Sequence, residues 1–269
     1  MNSIADFEFD HFPLSEGVIL ISQTIRRDFA SGPVRQGLQQ LVTQARESID
    51  TSLDHDQQLE QLITLFFTQW GFGGANGVYR LSDTLWLDKV LNTRQGTPVS
   101  LGIIFLHIAQ ALDIPLYPVI FPTQLIMRAD WLDDAMWLIN PLNGETLNEH
   151  MLDVWLKGNL GQSMMLEDND FEEAENVGVV RKMLSTLKAA LMEEKQMELA
   201  LRTSEVLLAF DPSDPYEIRD RGLIYAHLDC NHVALSDLNY FIEHCPEDPV
   251  SEVIKVQIHS IEQKHVVLH

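Results

Sequence analysis

Thiolate and imidazole are the side chains most able to do chemistry, and this sequence gathers four of them near one end: Cys230, His232, His244 and Cys245. They are the usual ligands of zinc. Their order, C-x-H and then H-C, is not the spacing of a structural zinc site, and the periodicity places Cys230 and His232 in an inter-helix turn with Cys245 closing the next helix. Ordinary repeat positions are expected there, with no metal. A second constellation is Arg219-Asp220-Arg221. Two guanidinium groups on one helix could hold a carboxylate of a partner peptide bidentately, or could pair internally with Asp220 or with an acid of the N-terminal half. A third is Gly71-Phe72-Gly73-Gly74-Ala75-Asn76-Gly77. It follows a helix, has Asn76 where a GxGxxG pattern needs its last glycine, and lacks a following Gly-Lys-Ser/Thr, so it reads as a turn and not a phosphate cradle. No cofactor is implied. Met164, Met165, Met183, Met192 and Met197, like Trp86, Trp131 and Trp137, are read as packing residues.

The elements that must position these groups change character along the chain. Helices are expected from Leu14 to about Arg27, from Pro33 with Leu38, Leu41, Val42 and Ala45 on one face, and from about Asp56 with Leu59, Leu62, Ile63 and Phe66. Thr84 to Thr93 also reads as helical and is broken by Arg94-Gln95-Gly96-Thr97-Pro98. Thr97 suits an N-cap and Pro98 the first turn of a helix to Leu112 that is apolar nearly all round, hence buried. Three β-rich runs follow, Leu116 to Phe121, Gln124 to Arg128 and Ala135 to Asn140, predicting antiparallel strands stacked on that helix in an α+β domain.

The last hundred or so residues repeat themselves. At an offset of 34, Ala200 meets Ala234, Leu201 meets Leu235, Pro212 meets Pro246, Asp214 meets Asp248 and Pro215 meets Pro249. That is the tetratricopeptide period. Gly222, Tyr225, Ala234 and Pro246 occupy its small, aromatic, alanine and proline positions, although Ile218 and Arg221 replace its Trp and Leu and Lys188 stands at the glycine of the weaker first copy. Two repeats and a closing helix from Ser251 to Gln263 are expected. Between the two regions lies Glu167-Asp168-Asn169-Asp170-Phe171-Glu172-Glu173-Ala174-Glu175, a self-repelling run expected to be a solvated linker.

Composition closes off several functions. With 40 acidic and 18 basic residues, the net charge of -22 opposes binding to phosphate backbones and to anionic membranes. The most apolar run, Val99 to Leu112, is too short and polar to span a bilayer. The acidic start (Asp6, Glu8, Asp10) is unlike a secretory leader, and two cysteines fit a reducing compartment, so a cytoplasmic location is expected.

The order Val90-Leu91-Asn92-Thr93-Arg94-Gln95-Gly96-Thr97-Pro98-Val99-Ser100-Leu101, then Phe121-Pro122 leading into Leu125-Ile126-Met127-Arg128, then Ile139-Asn140-Pro141-Leu142-Asn143-Gly144, resembles the bacterial SirB family. Arg219-Asp220-Arg221-Gly222 and the proline-ended repeats extend the resemblance over nearly the whole chain. It implies a transglutaminase-like (cysteine-peptidase-like) domain joined to tetratricopeptide repeats. The wider superfamily uses a Cys at the start of the buried helix, a His on the next strand and an Asp on the strand after, for attack, proton transfer and orientation of the imidazole. Here the Cys position falls near Pro98 to Ser100, the His position at about Gln124 and the Asp position at Asn140. None of the three is present, and both cysteines of the chain lie in the repeats. The family's description associates it with control of invasion-gene expression in bacteria.

Ser100 could replace the cysteine only with a base in reach. Gln124 cannot accept the proton, and His107 lies two turns along the helix, roughly 10 Å away. The expectation is therefore a transglutaminase-like domain over residues 1–166 without catalytic residues, an acidic linker over 167–176, and repeats over 177–269. Its function would be that of a non-enzymatic cytoplasmic adaptor or regulator that binds another protein. Contact would be made through the repeats, including Arg219, Asp220 and Arg221, or through a vestigial cleft at Pro98, Ser100, Gln124 and Asn140. The alternatives are a hydrolase or transferase centred on Ser100, and a small-molecule sensor using that cleft.

Overall fold

The computed structural model describes residues 9–77, 79–131 and 136–266. These divide into two compact units, one of residues 9–23 and 27–183, the other of 24–26 and 184–266.

The N-terminal unit begins with α1 (Leu14–Ile25), α2 (Ser31–Ser48) and α3 (His55–Ile63). On α2 the buried residues are Val34, Leu38, Leu41, Val42 and Ala45, the stripe that a 3.6-residue period presents to a core. Beyond α3 the chain loosens into one π-helical turn, Thr64–Gln69, which carries Phe66 into an aromatic cluster with Phe72 and Phe105. The glycine run is more than a turn, because β1 (Gly73–Gly74) pairs in parallel with β2 (Gln95–Gly96). The stretch read as one helix from Thr84 instead forms a 3-10 turn (Leu81–Thr84) and then α4 (Leu87–Thr93). α5 (Pro98–Ala111) starts where its Thr97 cap and N1 proline require, and ten of its fourteen residues are buried.

The sheet is an antiparallel meander of β3 (Leu116–Ile120), β4 (Leu125–Asp130), β5 (Met136–Ile139) and β6 (Thr146–Leu147), in that order. The fourth strand is an addition to the three expected; Ala135, read as the start of the third, lies outside the described residues. Neighbouring residues of a strand face opposite sides. Leu125 packs against α5, where a Cβ on Gly102 would lie 2.6 Å from its Cδ2. Ile126 packs on the other face with Val119, Phe121, Leu138 and Leu147, and this face is closed by Leu152 and Leu156 of α6 (Glu149–Leu160). The acidic run is tied to the sheet rather than standing free. Arg128 donates to the Phe171 carbonyl at 2.6 Å and the Ala174 N–H to the Pro118 carbonyl at 2.8 Å. The boundary between the units falls later, at Met183 and Leu184, inside α7 (Asn176–Glu193).

The second unit continues with α8 (Met197–Phe210), α9 (Pro215–His227), α10 (Asn231–His244) and α11 (Pro249–Val266). Its bounds repeat at the period read from the sequence: 231 − 197, 244 − 210 and 249 − 215 are each 34. The left-handed residues Lys195 and Asp229, which close the first helix of each pair, are also 34 apart. Gly222 makes close packing of the α9–α10 pair possible, since a Cβ there would meet Asp237 Cβ at 3.0 Å and Leu238 Cγ at 3.1 Å. Ala234, Leu238 and Phe241 form a core with Ile254, Ile258 and Ile261 of α11.

Candidate functional site

The residues read as a vestigial cleft lie in the first turn of α5, just before β4 and just after β5. Leu125 and Pro141, the residues following Gln124 and Asn140, both come up to Gly102, at 2.6 and 3.8 Å from a Cβ placed there. What each of the polar residues singled out from the sequence does is set by its hydrogen bonds.

Ser100 is completely buried. Its Oγ donates to the Thr84 carbonyl at 2.6 Å and accepts from the Thr97 N–H at 2.9 Å, while its own N–H donates to Thr97 Oγ1 at 3.3 Å. Thr97 and Ser100 thus form a reciprocal capping box that satisfies donors otherwise orphaned at a helix start, and Pro98 at N1 has no N–H to satisfy. The hydroxyl is further sealed by Gly96, whose missing Cβ would fall 2.6 Å from it. Asn140 is also structural: its Oδ1 accepts from the Leu142 N–H at 3.0 Å and its carbonyl from the Gly144 N–H at 2.8 Å, which folds the β5–β6 turn. Gln124 differs. It is half-buried, and its Nε2 is shielded from solvent without a hydrogen-bond partner among the described residues. His107, two turns along α5, shares a 2.8 Å hydrogen bond with Ser15 of α1. Burial pushes its pKa down, and the nearby Glu16 opposes that shift.

The arginines of the repeat are engaged within their own unit, the internal pairing that the sequence left open beside a peptide clamp. Arg219 donates to Asp220 Oδ1 through Nε and Nη2 at 2.9 and 2.6 Å and lies over the rings of Tyr216 and Phe241. Arg221 makes a two-pronged bond to Asp237 at 2.7 and 2.8 Å, which raises its pKa. The acid that holds Arg221 is on the next helix, not in the N-terminal half. Asp220 is also held by Lys188 Nζ at 2.7 Å, and Lys188 reaches Glu217 as well. Glu217 accepts from Ser204 at 2.7 Å. Sequence reasoning missed this buried cluster, although a signal was there. Lys188 sits 34 residues before Gly222, where a small residue belongs, and two acids spaced i, i+3 occupy the facing helix.

Cys230 is exposed and Cys245 half-buried, both as free thiols. His244 stacks on Tyr240 and bonds its carbonyl. Among the described residues no group of three His, Cys, Asp or Glu side chains could hold a metal ion, and no helix is long and apolar enough to cross a membrane. Beside Arg221 the α9–α10 pair leaves a groove of about 500 Å³ lined by Ile218, Asp237, Tyr240 and Glu243.

Residues 33–185 match the family model of the transglutaminase-like superfamily, and residues 187–259 match a tetratricopeptide repeat model. The chain is 62% identical over 269 residues to the UPF0162 protein YchA of Escherichia coli K12 and 61% identical to protein SirB1 of Salmonella typhimurium, with both chains covered completely in each case. A UPF0162 protein of Vibrio cholerae is 36% identical, again over the whole of both chains. End-to-end likeness of this degree, with the two domain types in the order the fold displays, makes the chain a member of the SirB1/UPF0162 family, a transglutaminase-like domain followed by tetratricopeptide repeats.

Proposed function

We propose that this chain keeps the transglutaminase-like fold without its chemistry and acts as an adaptor or regulator by binding another protein. The observation that carries the reading is the use made of Ser100. At the helix start where the superfamily places its nucleophile, the hydroxyl has no solvent exposure and is committed to Thr84 and Thr97. A nucleophile must present a lone pair to substrate and a proton to a base. Here the proton goes to a backbone carbonyl, Gln124 at the superfamily's histidine position has no basic nitrogen, and no cysteine precedes Cys230. Tetratricopeptide arrays generally mediate protein–protein contact, and the repeats leave apolar side chains outward at Tyr216, Val253 and Val256, exposed by 47, 58 and 70%. With a net charge of -22, any influence on gene expression would pass through a protein partner and not through direct contact with DNA.

The test has two arms on the intact chain. Amide, ester and acyl-transfer substrates should be turned over no faster than in buffer, and Ser100→Ala should change nothing; turnover that Ser100→Ala abolishes would sink the non-catalytic reading. Proteins cross-linked to the chain in cells should then be compared with those on Val253→Glu and Val256→Glu. A partner lost from both variants supports recognition through the repeats, and partners held equally by all forms argue against it.

A further inference from the structure

Among the described residues several shielded cations are matched to carboxylates, Lys188 to Glu217 and Asp220, Arg219 to Asp220, Arg221 to Asp237 and Arg128 to Asp130, while Arg202 donates to the Ile25 carbonyl at 3.2 Å. Arg94 has no such partner. It is half-buried, and among the described residues its guanidinium makes neither a hydrogen bond nor an ion pair. Burial by itself pushes its pKa down, with no charged neighbour contributing. What holds it is the ring of Phe72, 4.5 Å from Cζ to centroid. Phe72 is in turn stacked on fully buried Phe66 at 4.2 Å with the planes 9° apart. A cation–π contact uses the charge of a guanidinium and leaves N–H groups unspent, and their planar edge is the part that matches a planar oxyanion.

The backbone adds an independent observation. Arg94 closes α4 in the left-handed region (φ 62, ψ 12), with its N–H donating to the Val90 carbonyl at 2.8 Å. Glycine is the residue that fits this position without penalty. An arginine here therefore costs conformational energy as well as desolvation, against which the fold sets its contact with the Phe72 ring. Its carbonyl accepts from the Gly73 N–H at 3.0 Å, so the β1–β2 pairing fixes the base of the side chain while the Phe72 ring holds its charged end.

We propose that Arg94, stacked on Phe72, is a binding site for a carboxylate, which it takes bidentately on the free edge of its guanidinium. A monoanion is favoured over phosphate, because a protein of net charge -22 repels a dianion more strongly. The site does not depend on the adaptor reading, and would serve equally for a small carboxylic acid or for the carboxylate of a peptide.

The test uses the full-length chain labelled with ¹⁵N at arginine and titrated with sodium acetate against sodium chloride at constant ionic strength. The Arg94 Nε–H resonance, assigned by its absence in Arg94→Gly, should shift saturably with acetate and not with chloride. Because glycine suits this backbone, Arg94→Gly is expected to keep its fold, checked by circular dichroism, and to lose any dependence of its melting midpoint on acetate. Arg94→Lys, a point charge without the planar two-donor edge, should bind acetate roughly tenfold more weakly. A shift that is linear in acetate and matched by chloride overturns the site. Saturation by inorganic phosphate but not by acetate overturns the carboxylate assignment.

Discussion

The cluster around Lys188 offers a stringent check on the energetics of the repeat unit. Replacing Lys188 by Met keeps the buried stem and removes only the ammonium, which holds Glu217 and Asp220. The side chains of Lys188 and Glu217 are 7 and 9% exposed, so the Glu217 carboxylate would be left with the Ser204 hydroxyl and almost no water. Removing one partner of a buried pair costs about 3–5 kcal/mol. Asp220 softens the loss because it is 21% exposed and keeps Arg219. The expected destabilisation is therefore at the lower end, about 3 kcal/mol. Urea unfolding followed by circular dichroism reads this as a lower midpoint at constant slope. The double variant Lys188→Met/Glu217→Gln removes both charges and should recover at least half of the loss, since neutral replacements of a buried pair are often tolerated. A loss under about 0.5 kcal/mol for Lys188→Met, or a double variant no more stable than the single, would refute the claim that Glu217 depends on Lys188.

Other perturbations follow from the same geometry. Ser100→Ala removes the capping box and leaves the Thr97 N–H and Thr84 carbonyl short of a buried partner, so it should cost about 1–3 kcal/mol in the same unfolding assay. Gly144→Ala places a Cβ 2.6 Å from Phe67 Cδ2 and 2.7 Å from Ile63 Cγ2 at a φ of +75°, and should destabilise by about 2–4 kcal/mol. His107 has its pKa lowered by burial from 6.5, so the unfolded chain binds its proton more readily than the native one. Its contribution is fully present above pH 6.5 and is lost as the pH falls through the lowered native value, at no more than about 1.4 kcal/mol per pH unit. Urea midpoints measured from pH 8 to pH 5 should fall less steeply for His107→Gln than for the unaltered chain; parallel curves would remove His107 from the account.

Local chemistry made much of the architecture legible. The Thr97-Pro98 start of α5, its all-round apolar composition and the 34-residue recurrence are properties of neighbouring or regularly spaced residues. They report helix caps, buried helices and stacked pairs without knowledge of what lies across the fold. The same holds for the missing nucleophile, since a residue type absent from 229 consecutive positions cannot be supplied by folding. Where prediction slipped, a distant partner had intervened. The glycine run became a strand because Gln95-Gly96 lies beside it, and the acidic run was drawn onto the sheet by Arg128 and Pro118.

What the amino-acid order determined by itself, then, was the identity of most elements, the period of the repeat and the absence of cysteine before Cys230, because each depends on composition and on separations along the chain. The pairing of charges was decided only by tertiary structure. Arg219 and Arg221, two residues apart on a helix, left a peptide clamp and internal pairing both open until Asp220 and Asp237 were seen to hold them, and Lys188, an apparent defect in the repeat, proved to carry the counter-charge for Glu217. Arg94, read as part of a helix-breaking segment, does end α4, and among the described residues it is also an unmatched cation on an aromatic face. Electrostatic complementarity acts over a few ångströms of space and not over sequence, so whether a charge is satisfied can be read only when the chain is folded.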